Sequence, residues 1–266
     1  MNETVLLVGC GKMGGALLQG WVQSGAVGTA VVVEPKGADV PAHPSVRHVA
    51  GPEELPADLS PDAVVLAVKP QAMDDVIGGY RRFADRAVFL SVAAGKTIAY
   101  FRDRLGAGTA IVRAMPNTPA AIGKGITALA AAEAATAQQR ALCERLMKAA
   151  GAVEWVSDEA MIDAVTAVSG GGPAYVFLLI ETLARAGEKA GLPADLAMRL
   201  ARQTVIGAGA LAEATAESAE TLRRNVTSPN GTTQAALEVL MADGAIQPLF
   251  DQAIAAATRR SKELAS

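Results

Sequence analysis

The sequence predicts an α/β chain in two parts: a parallel sheet with helices on both faces over residues 1–158, then an all-helical domain over 159–266. Three observations carry this reading. Short apolar runs rich in β-branched residues alternate with stretches of helical period, as expected of parallel strands buried on both faces. The first run ends in a glycine turn, Gly9-Cys10-Gly11-Lys12-Met13-Gly14, that opens a helical stretch. After Asp158 only helical periods remain.

In order, "TVLLVG" (4–9) is an apolar run stopped by glycine, and "GGALLQGWVQSG" follows at helical period. "AVVVEP" (30–35) and "PDAVVLAVKP" (61–70) are further buried strands ended by proline, and "AVFLSVAAG" (87–95) and "TAIVRAMPN" (109–117) repeat the pattern. "GITALAAAE" (125–133) and "AVEWVSD" (152–158) add strands around a helix at 136–150. Beyond them the helical periods fall at 159–169, 173–190, 193–215, 218–224, 233–242 and 246–264, with Pro173, Pro193 and Pro248 at or near first turns, where a missing N–H is harmless.

Composition excludes several classes. The net charge of −3 offers no basic field for nucleic acid or an anionic membrane. The N-terminus lacks a basic segment and a small-residue cleavage site. No apolar run approaches the roughly 20 residues that span a bilayer, so a soluble cytoplasmic chain is expected. Two cysteines, Cys10 and Cys143, make neither a disulfide framework nor a zinc spacing. Helices so rich in alanine and other apolar residues exceed what one small bundle can hide, which points to an oligomer.

The glycine turn matches G-x-G-x-x-G, a weak pattern alone. Here it follows a strand, opens a helix and precedes Glu34, at the end of the second strand, by 20 residues. That context is the dinucleotide fingerprint, in which the glycines allow the turn, the approach of pyrophosphate and close helix–strand packing. Glu34 suits the ribose hydroxyls of NAD, whereas Lys36 suits the 2′-phosphate of NADP, and the sequence leaves both open. "AVKPQ" (67–71) and "SVAAG" (91–95) end strands at the same sheet edge, where ligands bind in open α/β folds. Lys69 reads either as a cation at that crevice or as a surface lysine. "RAMPNTPAAIGKG" (113–125) brackets Asn117 and Thr118 with prolines, giving a stiff loop or a plain interdomain turn. "SGGGPAY" (169–175) sets three glycines before a helix, which invites close approach of a ligand or another backbone. His43 and His48 lie in a Pro-rich connection away from every predicted strand end, so no Ser-His-Asp arrangement and no metal site is expected. "NVTSPNGTTQAALEVL" (225–240) puts an acid-free loop of small and polar residues before a helix; it reads as a helix cap or as an anion site at a free helix N-terminus.

Taken together, "VGCGKMGGALLQG", "AVKPQ", "SVAAG", "VRAMPNTPAAIGKG", "DAVTAVSGGGPAY" and "VTSPNGTT" resemble pyrroline-5-carboxylate reductases, in family order from residue 5 to about 264. The glycine fingerprint is shared with many enzymes; the M-P-N-T-P and S-P-x-G-T-T stretches are much more specific. The resemblance implies an N-terminal Rossmann-type domain and a C-terminal helical domain that interlocks with its twin in a homodimer, often assembled into decamers. It also implies reduction of the C=N bond of 1-pyrroline-5-carboxylate to L-proline with NADPH or NADH. By matched position, Gly9, Cys10, Gly11, Lys12, Met13, Gly14, Glu34, Lys36, Ala67, Val68, Lys69, Pro70, Val92, Ala93 and Ala94 would line the cofactor, with Asn225 reaching it from the helical domain. Glu159, Thr232 and Thr233 would hold the substrate; on the anion-site reading of the loop, backbone N–H groups near Gly231, Thr232 and Thr233 would bind its carboxylate with help from the helix dipole, Thr233 and Glu159 serving the chemistry. Three departures stand out: Gly171 where relatives carry serine, Asn230 where glycine is common, and Glu34 where many carry Ser, Asn or Arg.

The chemistry suits such a site. Hydride attack on a protonated cyclic imine needs no strong base, so positioning carries the rate. A carboxylate such as Glu159 would favour the iminium by charge attraction. A hydroxyacid dehydrogenase of similar build would need a lysine four residues before an asparagine in the first long helix of the second domain, and "PAYVFLLIETLARAGEKAG" has no asparagine. A nucleotide sensor without turnover leaves the polar loop at 227–233 unexplained.

Overall fold

The computed structural model describes residues 3–37 and 40–265; residues 1, 2 and 266, at the outer bounds of the two expected domains, lie outside it. Strands β1 (Thr4–Val8), β2 (Thr29–Val33), β4 (Ala63–Leu66), β5 (Val88–Ser91) and β6 (Ile111–Met115) pair in parallel. The sheet runs β3-β2-β1-β4-β5-β6-β7-β8, where β3 is Val46–Val49, β7 is Gly125–Ala131 and β8 is Gly151–Trp155. The order reverses between β1 and β4, the switch point at which open α/β sheets bind ligands.

Alternation along the strands builds two cores. Val5 and Leu7 of β1 face α1 (Lys12–Ser24) and α4 (Ala137–Lys148), packing with Leu17, Trp21, Leu146 and Met147. Leu6 and Val8 face the other side, against Met73 and Ile77 of α2 (Met73–Ile77) and Phe101 of α3 (Ile98–Leu105). The buried Trp21 indole donates to the Leu146 carbonyl at 2.8 Å, tying α1 to α4 without orphaning its N–H. A capping box at Thr136 and Gln139 starts α4.

Helix α5 (Met161–Val165) runs on through a π-turn to Gly170, followed by α6 (Gly172–Lys189), α7 (Ala194–Ala214), α8 (Ala219–Asn225), α9 (Thr232–Leu240) and α10 (Ile246–Ala265). The composition changes at 158, but the compact units divide between Gly170 and Gly171, and the chain from Ala257 on belongs with the first. The cause is packing: Ile162 and Ala167 of the α5 stretch are buried, Ile162 in the core of the sheet. The second unit, 171–256, is built on α6 packed along α7, with Tyr175 and Phe250 edge to face at 6.3 Å.

Three expectations need correction. β7 pairs antiparallel with β6, so the sheet is mixed rather than wholly parallel. His48 lies inside β3, an edge strand whose sequence VRHV carries too little apolar character to announce itself. The helical stretch Met161–Lys189 is long and apolar enough to cross a membrane by length and composition, with a mean hydropathy of 1.3 and 11 % of that window buried. In sequence it does not read as one apolar run because Asp163, Ser169 and the triple glycine at 170–172 interrupt it.

Candidate functional site

The cofactor residues expected from sequence between Gly9 and Ala94 gather at the carboxyl ends of β2, β1, β4 and β5, four neighbouring parallel strands, whereas Asn225 ends α8 in the second unit. Each fingerprint glycine has its own reason. Gly9 turns with φ of 89°, its N–H on the Val33 carbonyl at 2.9 Å; a Cβ there would stand 2.9 Å from the Val68 methyl. A Cβ on Gly14 would strike the Gly9 carbonyl. Gly11 differs: it caps α1, and a Cβ there would meet no protein atom within 4 Å. Steric need inside the protein therefore explains Gly9 and Gly14 but not Gly11, which leaves room for a bound group. No side chain caps α1 and no acid lies in its first turn, so Lys12 and Met13 present a helix start suited to phosphate.

Glu34 does more than sit at a strand end. Its Oε2 accepts from the Cys10 N–H at 2.9 Å and its Oε1 from the Lys36 N–H at 3.3 Å, tying the end of β2 to the glycine turn. His48 approaches the Glu34 carbonyl with Nε2 at 2.8 Å; a carbonyl can only accept, so Nε2 carries the proton. Lys36 and Lys69 are both exposed at this edge. The 67–70 segment continues β4, its Ala67 N–H on the Val8 carbonyl at 2.8 Å, and Val92 donates to Leu66 at 3.1 Å. Ala93 is buried and Ala94 exposed.

A brace joins the segments that follow β4 and β5. Asp74 Oδ1 accepts from the Tyr100 hydroxyl and from Arg104 Nε, each at 2.7 Å, with Lys96 at 3.8 Å from Oδ2. The hydrogen bonds from Tyr100 and Arg104 hold the Asp74 carboxyl below its usual range, while burial and Asp74 push the Tyr100 phenol up to about 12.

Glu159, expected beside the substrate, commits Oε1 to two donors: the Ile98 N–H at 2.8 Å and Arg113 Nη1 at 3.0 Å. Arg113 is 4 % exposed. Sequence reading missed this arginine, although a charge inside the apolar run "TAIVRAM" signals a buried pair. Of the 113–125 segment, 113–115 end β6, 116–124 form a loop within the sheet and 125 opens β7, so it is not an interdomain turn: Asn117 Oδ1 accepts from Ile126 N–H at 3.0 Å.

In the helical unit, α9 starts at an open N-terminus. Gly231 caps it without a side-chain bond, and Asn230 stands at φ of 58°. The Gly231 N–H is committed to the Ser228 carbonyl at 3.0 Å, and the Asn230 N–H to Gln234 Oε1 at 2.8 Å. Neither threonine hydroxyl caps the helix, and among the described residues the N–H groups of Thr232 and Thr233 have no hydrogen-bond acceptor. Simple capping therefore does not account for the loop, and of the N–H groups near Gly231, Thr232 and Thr233, that of Gly231 is already taken by Ser228. The hydroxyls of both threonines are on exposed residues; Asn225 Nδ2 lies 3.5 Å from Glu217 Oε1, and a neighbouring groove has Arg223, Arg224, Thr227 and Gln234 in its lining. Of the triple glycine, Gly170 backs onto Met115, whereas Gly171 caps α6 with no hydroxyl to offer.

Comparison with known proteins accounts for both units. Residues 159–264 match the family profile described as pyrroline-5-carboxylate reductase dimerisation, and residues 4–95 that described as NADP oxidoreductase, coenzyme F420-dependent. The pyrroline-5-carboxylate reductase of Pseudomonas aeruginosa is 40 % identical over 98 % of this chain and 96 % of its own. That of Synechocystis is 39 % identical over 99 % of both. Among solved structures, the Coxiella burnetii pyrroline-5-carboxylate reductase superposes with a TM-score of 0.91 at 35 % identity, all of both chains being covered. The Plasmodium falciparum enzyme with NADP bound gives 0.82 at 27 %, covering 100 % of this chain and 99 % of that one. With a dinucleotide turn, an open helix start and full-length likeness of this degree, the chain belongs to the pyrroline-5-carboxylate reductase family.

Proposed function

We infer that the chain is an NAD(P)H-dependent pyrroline-5-carboxylate reductase, converting 1-pyrroline-5-carboxylate to L-proline. The observation that carries this is the full-length likeness, which spans the cofactor and the helical units alike. Bound NAD(P)H supplies the hydride for the imine carbon. The chain's part is to hold and orient. The start of α1, with Gly9, Cys10, Gly11, Lys12, Met13 and Gly14, takes the pyrophosphate; Glu34 and Lys36 meet the adenosine ribose; 67–70 and 92–94 flank the remainder, and Asn225 is a further cofactor contact.

At the other unit, the N–H groups of Thr232 and Thr233 take the substrate carboxylate, favoured by the α9 dipole and by the absence of acid in its first turn. Gly231 shapes that approach, and the Thr233 hydroxyl meets the ring nitrogen. Glu159 enters through a carboxylate already shared with Arg113, so its effect on the iminium is that of a paired charge. Glu34, with its charge next to the ribose site, makes NADH usable.

The helical unit exposes Phe177 at 59 %, Leu249 at 62 % and Val239 at 72 %. We read these as the surface of a homodimer, further assembled into decamers, with the apolar 161–189 stretch working there rather than in a bilayer. The compartment in this reading is the cytoplasm, which suits a chain whose Cys10 and Cys143 are not joined in a disulfide. Mixing purified protein with pyrroline-5-carboxylate and NADH or NADPH, and following nicotinamide absorbance, tests the activity. No substrate-dependent loss of absorbance with either cofactor would overturn it.

A further inference from the structure

The loop 92–97 lies between β5 and α3 and is tied down at several points. At its start, Val92 donates to Leu66 and the Ala93 N–H to Ser91 Oγ at 3.2 Å. In its middle, Gly95 turns with φ of 76° where a Cβ would stand 2.7 Å from the Leu264 carbonyl. Lys96 lies 4.2 Å over the Tyr100 ring. At its end Thr97 caps α3 by accepting from the Tyr100 N–H at 3.1 Å. The first amide of α3, Ile98 N–H, is beyond the reach of that cap and finds its acceptor 61 residues away, in Glu159.

What aims Glu159 is Arg113. The guanidinium is nearly excluded from water and its ion pair is Glu159 at 3.0 Å, so the pair stays closed: a buried charge stripped of its partner is strongly unfavourable. The backbone of Arg113 pairs with Ser91, the residue just before the loop. One residue pair therefore borders both ends, Arg113 in register with Ser91 and Glu159 on Ile98.

We propose that Arg113 and Glu159 form a clasp that fixes the loop 92–97 against the sheet edge, making both of them positioning residues for the nicotinamide cofactor. This rests on the reading that 92–94 line the cofactor. With the clasp closed the loop is ordered before binding. With it open, cofactor must order the loop itself, and affinity falls in proportion to the fraction of molecules with the loop in place.

The test uses the full chain and the variants Glu159→Gln, Glu159→Ala, Arg113→Lys and Arg113→Met. Dissociation constants for NADPH and NADH are read by nicotinamide fluorescence, KM for pyrroline-5-carboxylate at saturating cofactor, and folding by thermal unfolding. Glu159→Ala should raise the cofactor Kd about tenfold, the range in which a loop goes from ordered to mostly open. Glu159→Gln, which keeps an acceptor for Ile98 but not the charge, and Arg113→Lys, which keeps the charge, should each raise it only several-fold. The double change Glu159→Ala/Arg113→Met should weaken binding no more than the worse single one, the signature of a coupled pair.

A folded Glu159→Ala with wild-type cofactor Kd overturns the proposal, whether or not its melting temperature has dropped. So does a raised substrate KM with cofactor Kd unchanged, which would limit Glu159 to its part at the substrate. Should Glu159→Ala fail to fold, Glu159→Gln decides by the same two constants. A wild-type chain that binds neither nicotinamide nucleotide would instead refute the cofactor reading beneath it.

Discussion

Gly11 and Gly14 lie three residues apart in one motif, yet the structure assigns them opposite consequences. A side chain at Gly11 meets no protein atom within 4 Å, and its φ of −70° and ψ of −162° suit any residue. Gly11→Val should therefore leave the fold within about 1 kcal/mol of wild type, most of that from a poorer helix cap. Its new methyls occupy the space that a pyrophosphate needs, and cofactor affinity should fall by at least roughly 100-fold, about 2.7 kcal/mol. At Gly14 the nearest atoms belong to the Gly9 backbone, which is locked to Val33 and cannot swing aside as a flexible side chain would. Gly14→Ala should destabilise by about 1–3 kcal/mol, the usual cost of overpacking. For a chain of this size that is a drop of several degrees in Tm, about 2–4 °C for each kcal/mol. Differential scanning calorimetry without cofactor, paired with fluorescence titration of NADPH, separates the two variants. A Gly11→Val protein that binds dinucleotide as wild type does, or a Gly14→Ala protein as stable as wild type, would refute the division of labour.

Glu34→Ser should move the ratio of kcat/KM toward NADPH by roughly tenfold, about 1.4 kcal/mol of relieved repulsion at a 2′-phosphate. A wild type strongly selective for NADPH, with no change in the variant, would leave Lys36 as the governing contact. Thr233→Ala should lower kcat/KM for pyrroline-5-carboxylate roughly 10- to 100-fold, about 1.4–2.7 kcal/mol, with cofactor Kd almost unchanged. Equal loss of cofactor binding, or full activity, would return that loop to a structural role. Burial pushes the Cys143 thiol up to about 12 from 9.0, so it stays protonated in the fold. Its contribution to stability is present below pH 9 and is lost as pH rises from there toward 12. Alkylation mapped by mass spectrometry at pH 8 should spare Cys143 in the native protein and label it once denaturant is added.

The parts of this molecule that were legible in sequence are those in which the chain's own period does the work. Val5 to Val8, Val31 to Val33 and Val88 to Ser91 are buried whatever pairs with them, so a plain apolar run announces each strand. The glycine turn was legible because Gly9 and Gly14 answer to local backbone geometry. β3 was not: half of it is exposed, and pairing with β2 rather than composition makes it a strand. The antiparallel course of β7 was hidden as well, because an apolar run has no direction and only the tight 118–122 turn brings the chain back beside β6. At the site the same distinction holds. Position along the chain placed Glu34 at a strand end but could not show its carboxylate turned back onto Cys10, since that contact depends on two strands lying side by side. Glu159 is the sharper case. Its bonds reach residues 46 and 61 positions away, and each depends on the sheet having already formed. Periodicity reports what a segment buries. It carries no information on which distant partner claims a charge, so a charged residue placed by motif position alone remains a residue whose partner is still to be found. The exposed apolar residues of the helical unit belong to the same class: the sequence marks Phe177, Val239 and Leu249 as apolar, and the chain by itself leaves them open.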